Sequence, residues 1–407
     1  MKIGILSNLY PPYTRGGAEL IAWRTAHELH VRGHDVFAFT TMPFEGMNSF
    51  YATIRDKYVE SVYRFFPFNT YHLLADGTHW LPTRALWHLI DMYGPQPARE
   101  FARVCEVEQP DIIISHNLKG LGLQIVPEIR RQHLPQVHIL HDVQLTVPSG
   151  LMLHGHESEG FNRPFIRRWY EWQVQAIFKS PELIVSPSRF LAGLYRDRGF
   201  FPNSRVEILP NPVPNLPKSD RTIRPSTGPI EFLFVGQLVA HKGIEFLWSV
   251  LSKWDVPFRL HVAGEGALTQ WMLKLADTDP RVIYHGYIPL EKLNDLFSIS
   301  DAVVVPSLCY ENSPTIIYEC FGSGVPVIAS DIGGIGELVR QGENGFLFIP
   351  GDKKGLLAAL RAFVANRESF RHAASRISAS VDAFTVGKYV DQLEMWLEEL
   401  VEKKMTG

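Results

Sequence analysis

Short apolar segments alternate with amphipathic segments along most of the chain. Residues 3–7 (IGILS) and 36–40 (VFAFT) are apolar runs of strand length, and the segment between them has apolar residues at steps of three and four. A second series begins at residues 231–235 (EFLFV) and continues with a helical pattern from Ile244. Strands that are apolar throughout and alternate with helices form parallel sheets covered on both faces. The pattern therefore predicts an α/β fold with two doubly wound sheets.

A proline-rich polar stretch divides the two series. Residues 211–228 read NPVPNLPKSDRTIRPSTG, a composition typical of an interdomain linker. The chain of 407 residues is long enough for two domains of ordinary size. The sequence predicts a first domain over residues 1–210, a second over residues 229–382, and an amphipathic helix over residues 383–407.

Composition and charge argue against several classes of protein. A formal net charge of -3 gives no argument for a nucleic-acid partner, and three scattered cysteines are too few for a disulfide framework or a zinc site. The first strand follows Met1-Lys2 directly, which predicts no signal peptide, and no apolar run reaches membrane-spanning length. We therefore expect a cytoplasmic protein without a metal centre.

A loop and a short helix follow the apolar run at residues 301–305. Ser313 is suited to cap this helix, and Pro314 fits its first position because proline's missing N–H and fixed φ cost nothing there. The helix is expected to extend to about Ser323, where Gly324 provides a left-handed stop. The unpaired N–H groups of its first turn favour a bound anion or an array of hydroxyls.

Glu311 and Glu319 flank this helix start. Glu311 stands in the loop, whereas Glu319 lies more than one turn inside the helix among apolar neighbours. A carboxylate on a largely apolar helix needs a partner, and a polyhydroxylated, phosphorylated ligand would supply one. The alternative is a solvated cap and a surface residue that bind no ligand.

Segment 306–336, with Glu311 and Glu319 in an E-x7-E arrangement, resembles the donor-site signature of retaining glycosyltransferases of family 4. The resemblance covers essentially the whole chain, because four further motifs occur in the expected order. It implies a GT-B fold, in which two Rossmann-like domains face a cleft, and transfer of a sugar from a nucleotide donor with retention of anomeric configuration. It also implies that the helix over residues 383–407 returns to the first domain.

The first of these motifs is a glycine pair. A polar loop over residues 8–15 leads to Gly16 and Gly17 at a predicted helix start, where the missing side chains allow a phosphate to approach backbone N–H groups. In the family the matching glycines contact the donor phosphates and the acceptor, and Tyr13 in the same loop is a candidate acceptor contact. A glycine pair before a helix is also consistent with a plain tight turn.

The second motif follows residues 231–235. Lys242 lies in the strand-to-helix turn, where a cation neutralises a pyrophosphate. The family has an arginine where this chain has Gln237. Either Lys242 and backbone amides suffice, or His241 or Arg15 helps. The alternative for Lys242 is an ordinary exposed lysine.

Two weaker motifs add donor contacts. One is the G-x-G turn that ends residues 261–266 (HVAGEG), and the other is the strand at residues 281–286 with the turn after it. In the family the backbone after this second strand holds the nucleobase, which makes Tyr287 and Ile288 candidates. Plain sheet connections also explain both turns. Gly333-Gly334, after Asp331, is expected either to shape the floor of the site or to form a simple βα turn. The candidate donor-binding residues are Gly16, Gly17, Gln237, Lys242, Tyr287, Ile288, Glu311, Asn312, Ser313, Thr315, Ile316 and Glu319.

Glu311, His141 and Lys242 are the candidate catalytic residues. The resemblance implies that Glu311 orients the donor sugar, Glu319 binds the ribose, and Lys242 stabilises the departing diphosphate. The resemblance further implies that the leaving phosphate itself accepts the acceptor's proton in a same-face displacement, which would make catalysis mainly positioning and electrostatic stabilisation. His141 follows the strand at residues 137–140 and contacts the transferred sugar in the family. No cofactor and no metal are implied beyond the donor substrate.

The candidate acceptor residues lie where strands of the first domain end. His116 and Asn117 follow residues 111–115, and Asp142 follows His141. Because the chain has 16 histidines, a structural role for either histidine is the alternative. The acceptor class that the resemblance implies is a glycan or a lipid-linked glycan.

Two aromatic segments bear on the acceptor. Residues 43–101 are rich in aromatic residues, among them Tyr58, and residues 161–179 mix aromatic with basic residues. The second segment contains Phe165, Trp169, Tyr170 and Trp172 beside Arg163, Arg167 and Arg168. These segments form either a peripheral contact with the inner membrane face or a helical core with solvated arginines. The pattern slightly favours the core.

Other functions fit parts of the pattern. A nucleotide-sugar 2-epimerase shares the architecture, but the E-x7-E run fits its elimination chemistry poorly. A noncatalytic nucleotide-sugar binding protein is conceivable because Gln237 removes a cation. An oxidoreductase fits poorly, since Gly16-Gly17 does not make the G-x-G-x-x-G pattern. The sequence favours a hexosyltransferase that acts in cell-surface polysaccharide or glycolipid synthesis.

Overall fold

The computed structural model describes residues 1–57, 60–75, 79–213 and 228–406. The elements up to residue 213 are β1 (Lys2–Leu6), α1 (Gly17–Val31), β2 (Asp35–Thr41), β3 (Thr53–Lys57), β4 (Ser61–Phe65), α2 (Leu81–Tyr93), α3 (Gln96–Glu108), β5 (Ile112–Ser115), α4 (Ile125–Arg131), β6 (Gln136–Ile139), α5 (Pro164–Phe178), β7 (Leu183–Ser186), α6 (Arg189–Asp197) and β8 (Arg205–Ile208).

The remaining elements are β9 (Ile230–Val235), α7 (Ile244–Leu251), β10 (Phe258–Ala263), α8 (Thr269–Thr278), β11 (Val282–Gly286), α9 (Leu290–Ile299), β12 (Ala302–Val305), α10 (Thr315–Gly322), β13 (Val327–Ser330), α11 (Ile335–Leu338), β14 (Gly345–Phe348), α12 (Lys353–Ala365), α13 (Arg367–His372), α14 (Ala374–Ala379) and α15 (Val386–Thr406).

Each series of strands forms one sheet. The first sheet has the order β3-β4-β2-β1-β5-β6-β7-β8, in which β3 is antiparallel to β4 and the other pairs are parallel. The second has the order β11-β10-β9-β12-β13-β14, with parallel pairs throughout. The predicted α/β class with two doubly wound sheets is confirmed.

The central strands are apolar because helices cover both of their faces. Ile3 and Ile5 of β1 have no exposed surface and belong to a core that includes residues of α1 and α15. Val303 and Val304 of β12 are buried in the same way in the core of the second sheet. Since parallel strands end at one edge of their sheet, the loops after β9, β12 and β13 lie side by side.

The chain divides into two compact units. The first consists of Met1–Leu151, Ser158–Pro212 and Val386–Gly407, and the second consists of Met152–Glu157 and Val213–Thr385. The C-terminal helix thus belongs to the first unit, but it begins at Val386 rather than at residue 383. Most of the predicted linker, residues 214–227, lies outside the described residues, as does Tyr58.

One segment departs from the predicted division. The sequence interpretation placed all of residues 1–210 in the first domain, whereas Met152–Glu157 joins the second unit. Leu153 forms a β-bridge with Cys309, and the Tyr310 N–H donates to the Met152 carbonyl at 2.9 Å. These pairings are made with a loop more than 150 residues further along the chain, and local sequence patterns carry no signal for them.

The predicted capping of α10 is wrong. The helix starts at Thr315, Pro314 occupies the N-cap position, and no side chain caps it. The Ser313 hydroxyl lies 2.7 Å from the Tyr318 hydroxyl and is engaged there. Gly324 does adopt the left-handed conformation after the helix, with φ of 70°.

A buried ion-pair cluster ties the end of the second unit to its sheet. The Asp301 carboxylate accepts from Arg367 Nη2 at 2.5 Å, Arg371 Nη2 at 2.9 Å and the Glu231 N–H at 2.9 Å. Burial raises the pKa of Asp301, but the hydrogen bonds from Arg367, Glu231 and Arg371 outweigh it and lower that pKa below 3.8. Asp301 therefore anchors α13 to the strands at β9 and β12.

Asp301→Asn is expected to destabilise the protein by about 3–5 kcal/mol, because it leaves two largely buried arginines without their carboxylate. Since the folded pKa is depressed, this stabilisation is present above pH 3.8 and is lost as pH falls through the folded pKa. Melting temperatures of wild type and variant should therefore differ most near neutral pH. Asp277→Asn, an exposed position on α8, is the control; equal melting temperatures for both variants at neutral pH would contradict the assignment.

Candidate active site

The loops after β9 and β12 meet at the carboxyl edge of the second sheet. The Leu308 N–H donates to the His241 carbonyl at 2.9 Å. Gly243 has φ of 78°, and a Cβ built on it would lie 1.9 Å from the Pro306 carbonyl oxygen. Only glycine permits this approach of the two backbones. It places the turn containing Lys242 directly beside the loop containing Glu311.

Three side chains converge on one oxygen of Glu311. Lys242 Nζ lies 2.5 Å from Glu311 Oε1, the Ser307 hydroxyl donates to the same oxygen at 2.9 Å, and Cys309 Sγ is 3.7 Å away. The side chains of Lys242 and Glu311 are 29% and 14% exposed, so the pair is sheltered but reachable. Lys242 and Glu311, which belong to separate sequence motifs, therefore form an ion pair with each other.

The pair keeps its lysine charged. Burial lowers the pKa of Lys242, but the Glu311 charge, with Cys309 and the Glu311 hydrogen bond, outweighs burial and raises that pKa above 10.5. Burial and the neighbouring Lys242 lower the pKa of His241. At neutral pH His241 is therefore an uncharged hydrogen-bonding group, and Lys242 is the cation of this turn.

A third loop fixes the Glu311 backbone. The Gly334 N–H donates to the Glu311 carbonyl at 2.7 Å. Gly333 has φ of 63°, and a Cβ on it would lie 2.1 Å from the same carbonyl oxygen. Two interpretations of Gly333-Gly334 follow from the sequence, a floor of the site and a plain turn. In the structure this glycine pair is in direct contact with the Glu311 loop.

The other donor-side candidates differ in their surroundings. Glu319, on the second turn of α10, is buried, as are Asn312 and Ser313, whereas Thr315 and Ile316 are half-buried. Gln237 is exposed in the turn after β9. Tyr287 is 71% exposed beyond the edge strand β11, which β10 separates from β9.

In the first unit, two histidines form a stacked pair. His116 follows β5 and His141 follows β6, with 2.8 Å between His116 Nδ1 and His141 Nε2. Burial lowers the pKa of His141 to about 4 and lowers that of His116 well below 6.5, with a further contribution from His141. Both rings are neutral near pH 7, so one must donate and the other accept.

Asp142 and Asn117 lie beside this pair in sequence and contact each other. Asn117 Nδ2 donates to Asp142 Oδ2 at 3.2 Å, and the Gln144 N–H donates to Oδ1 at 2.8 Å. Burial raises the pKa of Asp142 to about 7. The Asn117 carbonyl accepts from the Asn8 N–H at 2.9 Å, which joins the loops after β1 and β5.

The glycine turn after β1 already binds a carboxylate. The Gly16 N–H donates to Glu19 Oε2 at 3.0 Å, and Gly17 begins α1. Burial raises the pKa of Glu19, and hydrogen bonds from the backbone oppose it. Tyr13 lies in the same loop, where its N–H donates to the Tyr10 carbonyl at 3.0 Å.

Sequence reasoning missed several of these groups. Ser307 and Cys309 have no motif of their own, because their role depends on where the loop places Glu311. Glu19 had a readable signal, since an acid three residues after a helix N-cap is the capping-box spacing. Among the described residues, no group of three or more His, Cys, Asp or Glu side chains is placed to hold a metal ion, and none of the helices could span a bilayer.

Two family models match consecutive parts of the chain. Residues 15–215 match the model described as Glycosyltransferase Family 4. Residues 217–379 match the model described as Glycosyl transferases group 1. The first match begins in the loop before Gly16, and the second contains both Lys242 and Glu311.

Several curated proteins are similar in sequence. An uncharacterized 42.6 kDa protein in the cps region of Klebsiella pneumoniae is 25% identical over 341 residues, which cover 84% of this chain and 88% of that protein. Glycogen synthase of Mycobacterium tuberculosis is 33% identical over 42% of this chain and 43% of its own. Lipopolysaccharide 1,6-galactosyltransferase of Escherichia coli is 26% identical over 49% of this chain and 57% of its own. The chain thus matches about half the length of the last two.

Solved structures share the fold over nearly the whole chain. Sucrose-phosphate synthase from Thermosynechococcus elongatus superimposes with a TM-score of 0.76 at 20% identity, covering 99% of both chains. Anabaena HepE in complex with UDP gives a TM-score of 0.70 at 18% identity, covering 98% of this chain and 100% of that one. At these identities the likeness concerns the fold.

Gly333→Ala is expected to displace the Glu311 loop, because the added Cβ would overlap the Glu311 carbonyl oxygen. The buried Cys309 should then react with a thiol reagent at least about tenfold faster, through local opening. Gly342→Ala is the matched control: Gly342 also has positive φ, but a Cβ there has open space. If both variants label Cys309 at the same rate, the close approach does not hold the loop.

Proposed function

The chain belongs to glycosyltransferase family 4, with a glycosyl transferases group 1 module as its second unit and a GT-B fold, and on this basis we propose its reaction. It transfers a hexose-type sugar from a nucleotide-diphosphate sugar to a glycan or lipid-linked acceptor, with retention of anomeric configuration. The relative in a cps region and the lipopolysaccharide galactosyltransferase support a role in cell-surface polysaccharide or glycolipid synthesis.

The observation that carries this proposal is the Lys242–Glu311 ion pair. A protonated lysine at a strand-to-helix turn is suited to a diphosphate, and a carboxylate beside it is suited to sugar hydroxyls. Within the described residues, Lys242, Ser307 and Cys309 all contact the Oε1 atom of this carboxylate. Oε2 is therefore the oxygen with which Glu311 would accept hydrogen bonds from the donor sugar.

The rest of the donor is assigned to α10 and its neighbours. Glu319 would bind the ribose hydroxyls, and the first N–H groups of α10 would add donors near Asn312 and Ser313. Tyr287 and Ile288 would contact the nucleobase through their backbone. The HepE complex supports UDP as the first nucleotide to test.

The proposed chemistry needs little from side-chain proton transfer. The leaving diphosphate accepts the proton of the acceptor hydroxyl as the new glycosidic bond forms on the same face of the sugar. Lys242 stabilises the charge that develops on the diphosphate, and Glu311 orients the sugar. His141, uncharged near pH 7, would hydrogen-bond the transferred sugar, while Asp142 and its neighbours face the acceptor together with Tyr13, His116 and Asn117.

A panel of UDP-, GDP- and ADP-sugars tests the reaction class. We expect slow hydrolysis of one donor without acceptor, with the released sugar retaining its anomeric configuration by proton NMR at early times. A 2-epimerase would instead return a nucleotide sugar with an inverted C2 hydroxyl. Binding of a donor without either product would identify a noncatalytic binding protein and reject the transferase proposal.

Lys242→Ala is expected to weaken binding of the nucleotide donor by at least about tenfold, because it removes the charge that faces the diphosphate. Titration calorimetry measures this, and Lys274→Ala, at an exposed lysine of α8, is the matched control. Glu319→Gln should also weaken nucleotide binding if that residue binds the ribose. An unchanged titration for Lys242→Ala would remove this lysine from the donor site.

A further inference from the structure

Two helices of the first unit expose continuous apolar stripes. On α2, Pro82, Leu86, Leu89 and Tyr93 follow one another at steps of four, three and four residues, and all are exposed. On α5, Phe165, Trp169, Trp172 and Ala176 do the same. Residues at these steps share one helix face. We call these eight residues the aromatic face.

The exposure is large for side chains of this type. Phe165 is 85% exposed and Trp172 is 63% exposed, whereas Val174, Ile177 and Phe178 on the opposite side of α5 are buried. The helix is therefore apolar on its packed side and on its solvent side. The predicted core accounts for the first side only, so the aromatic face needs another explanation.

The two stripes are neighbours. The Tyr93 hydroxyl donates to Gln173 Oε1 at 2.6 Å, which joins the end of α2 to the middle of α5. A largely apolar cavity of about 490 Å³ opens beside the end of α2, where Phe68, Leu89 and Tyr93 line it. Apolar surface thus continues from α5 across α2 and into this cavity.

Arginines border the aromatic face, whereas the acidic residues of α2 and α5, Asp91 and Glu171, are buried. Arg163 and Arg168 are exposed at the start of α5, and none of the exposed residues of α2 and α5 is acidic. Glu171 is buried and contacts Arg198 at 3.3 Å. Asp91 of α2 accepts from the Gly120 N–H, and burial raises its pKa to about 7.

We propose that the aromatic face docks on an anionic membrane surface. Tryptophan, tyrosine and phenylalanine on one helix face, with arginines at its edge, are the composition of helices that lie in the bilayer interface. Lipid phosphates supply partners for Arg163 and Arg168. In a two-fold contact with a second copy, Arg163 and Arg168 of both copies would meet at one interface. The exposed residues of α2 and α5 offer no carboxylate to pair with them there, so like charges would repel.

This proposal does not rest on the identity of the sugar or the nucleotide. It deepens the acceptor side of the proposed function, because an enzyme held at the bilayer meets lipid-linked substrates at high local concentration. Failure of membrane binding would leave the donor chemistry untouched. Failure of the donor panel would leave the docking surface untouched.

Vesicle co-sedimentation tests the docking. Wild-type protein should sediment with vesicles of phosphatidylcholine and phosphatidylglycerol at low salt, and much less with phosphatidylcholine alone. Phe165→Ala with Trp172→Ala should reduce the bound fraction at least about tenfold, and Arg163→Glu with Arg168→Glu should abolish the preference for phosphatidylglycerol. Val107→Ala with Met395→Ala removes exposed apolar side chains elsewhere in the same unit and should bind like wild type.

Brominated lipids identify the face that inserts. Tryptophan fluorescence of the wild type should be quenched by vesicles with brominated acyl chains, and Trp169→Phe with Trp172→Phe should still sediment but lose most of that quenching. Absence of sedimentation at low salt, or quenching that survives the double replacement, would overturn the proposal. So would a dimer in sedimentation velocity that the Phe165 and Trp172 variants dissociate.

Discussion

The arrangement of loops in the second unit depends on two glycines, because a backbone carbonyl of a neighbouring loop occupies the position that a Cβ atom would take at each of them. The Pro306 carbonyl fills that space at Gly243, and the Glu311 carbonyl fills it at Gly333. These two approaches clamp one loop between its neighbours at the carboxyl edge of the sheet. The short separation of Lys242 and Glu311 follows from the clamp, because both side chains project from backbone that has little freedom to move apart.

Local chemistry was enough to derive the alternation of strands and helices and to locate several strands, among them β1, β2, β9 and β12. Buried parallel strands are largely apolar, so the bounds of these strands could be read to within one or two residues. The cap of α10 was misread because Ser313 has the right residue type, while a tertiary partner, Tyr318, engages its hydroxyl. The contact between Lys242 and Glu311 joins residues 69 positions apart, and only the family resemblance had placed both in one site.

For the aromatic helices α2 and α5, the sequence could not predict which surface each apolar stripe contacts. Periodicity identifies which residues share a face, but it does not say whether that face meets protein, solvent or lipid. On α5 both faces are apolar, and the periodic signal of the buried side is overlaid by that of the exposed side. The slight preference for a core fits Val174 and Phe178, yet Phe165 and Trp172 lie outside it. Tertiary packing alone separates the two stripes.

The pairing of Lys242 with Glu311 also bears on selectivity. An unpaired cation at this turn would bind any phosphate. A lysine that is already paired with a carboxylate binds a phosphate only if the new contacts are more favourable than the ion pair they weaken. A ligand that carries only phosphate would take Lys242 from Glu311 and offer the carboxylate no replacement. A sugar without phosphate would offer Lys242 no anion in exchange for Glu311. In the proposed donor site, only a molecule that carries hydroxyls and a diphosphate at the correct separation would satisfy both groups together, so the ion pair would discriminate against fragments of the donor.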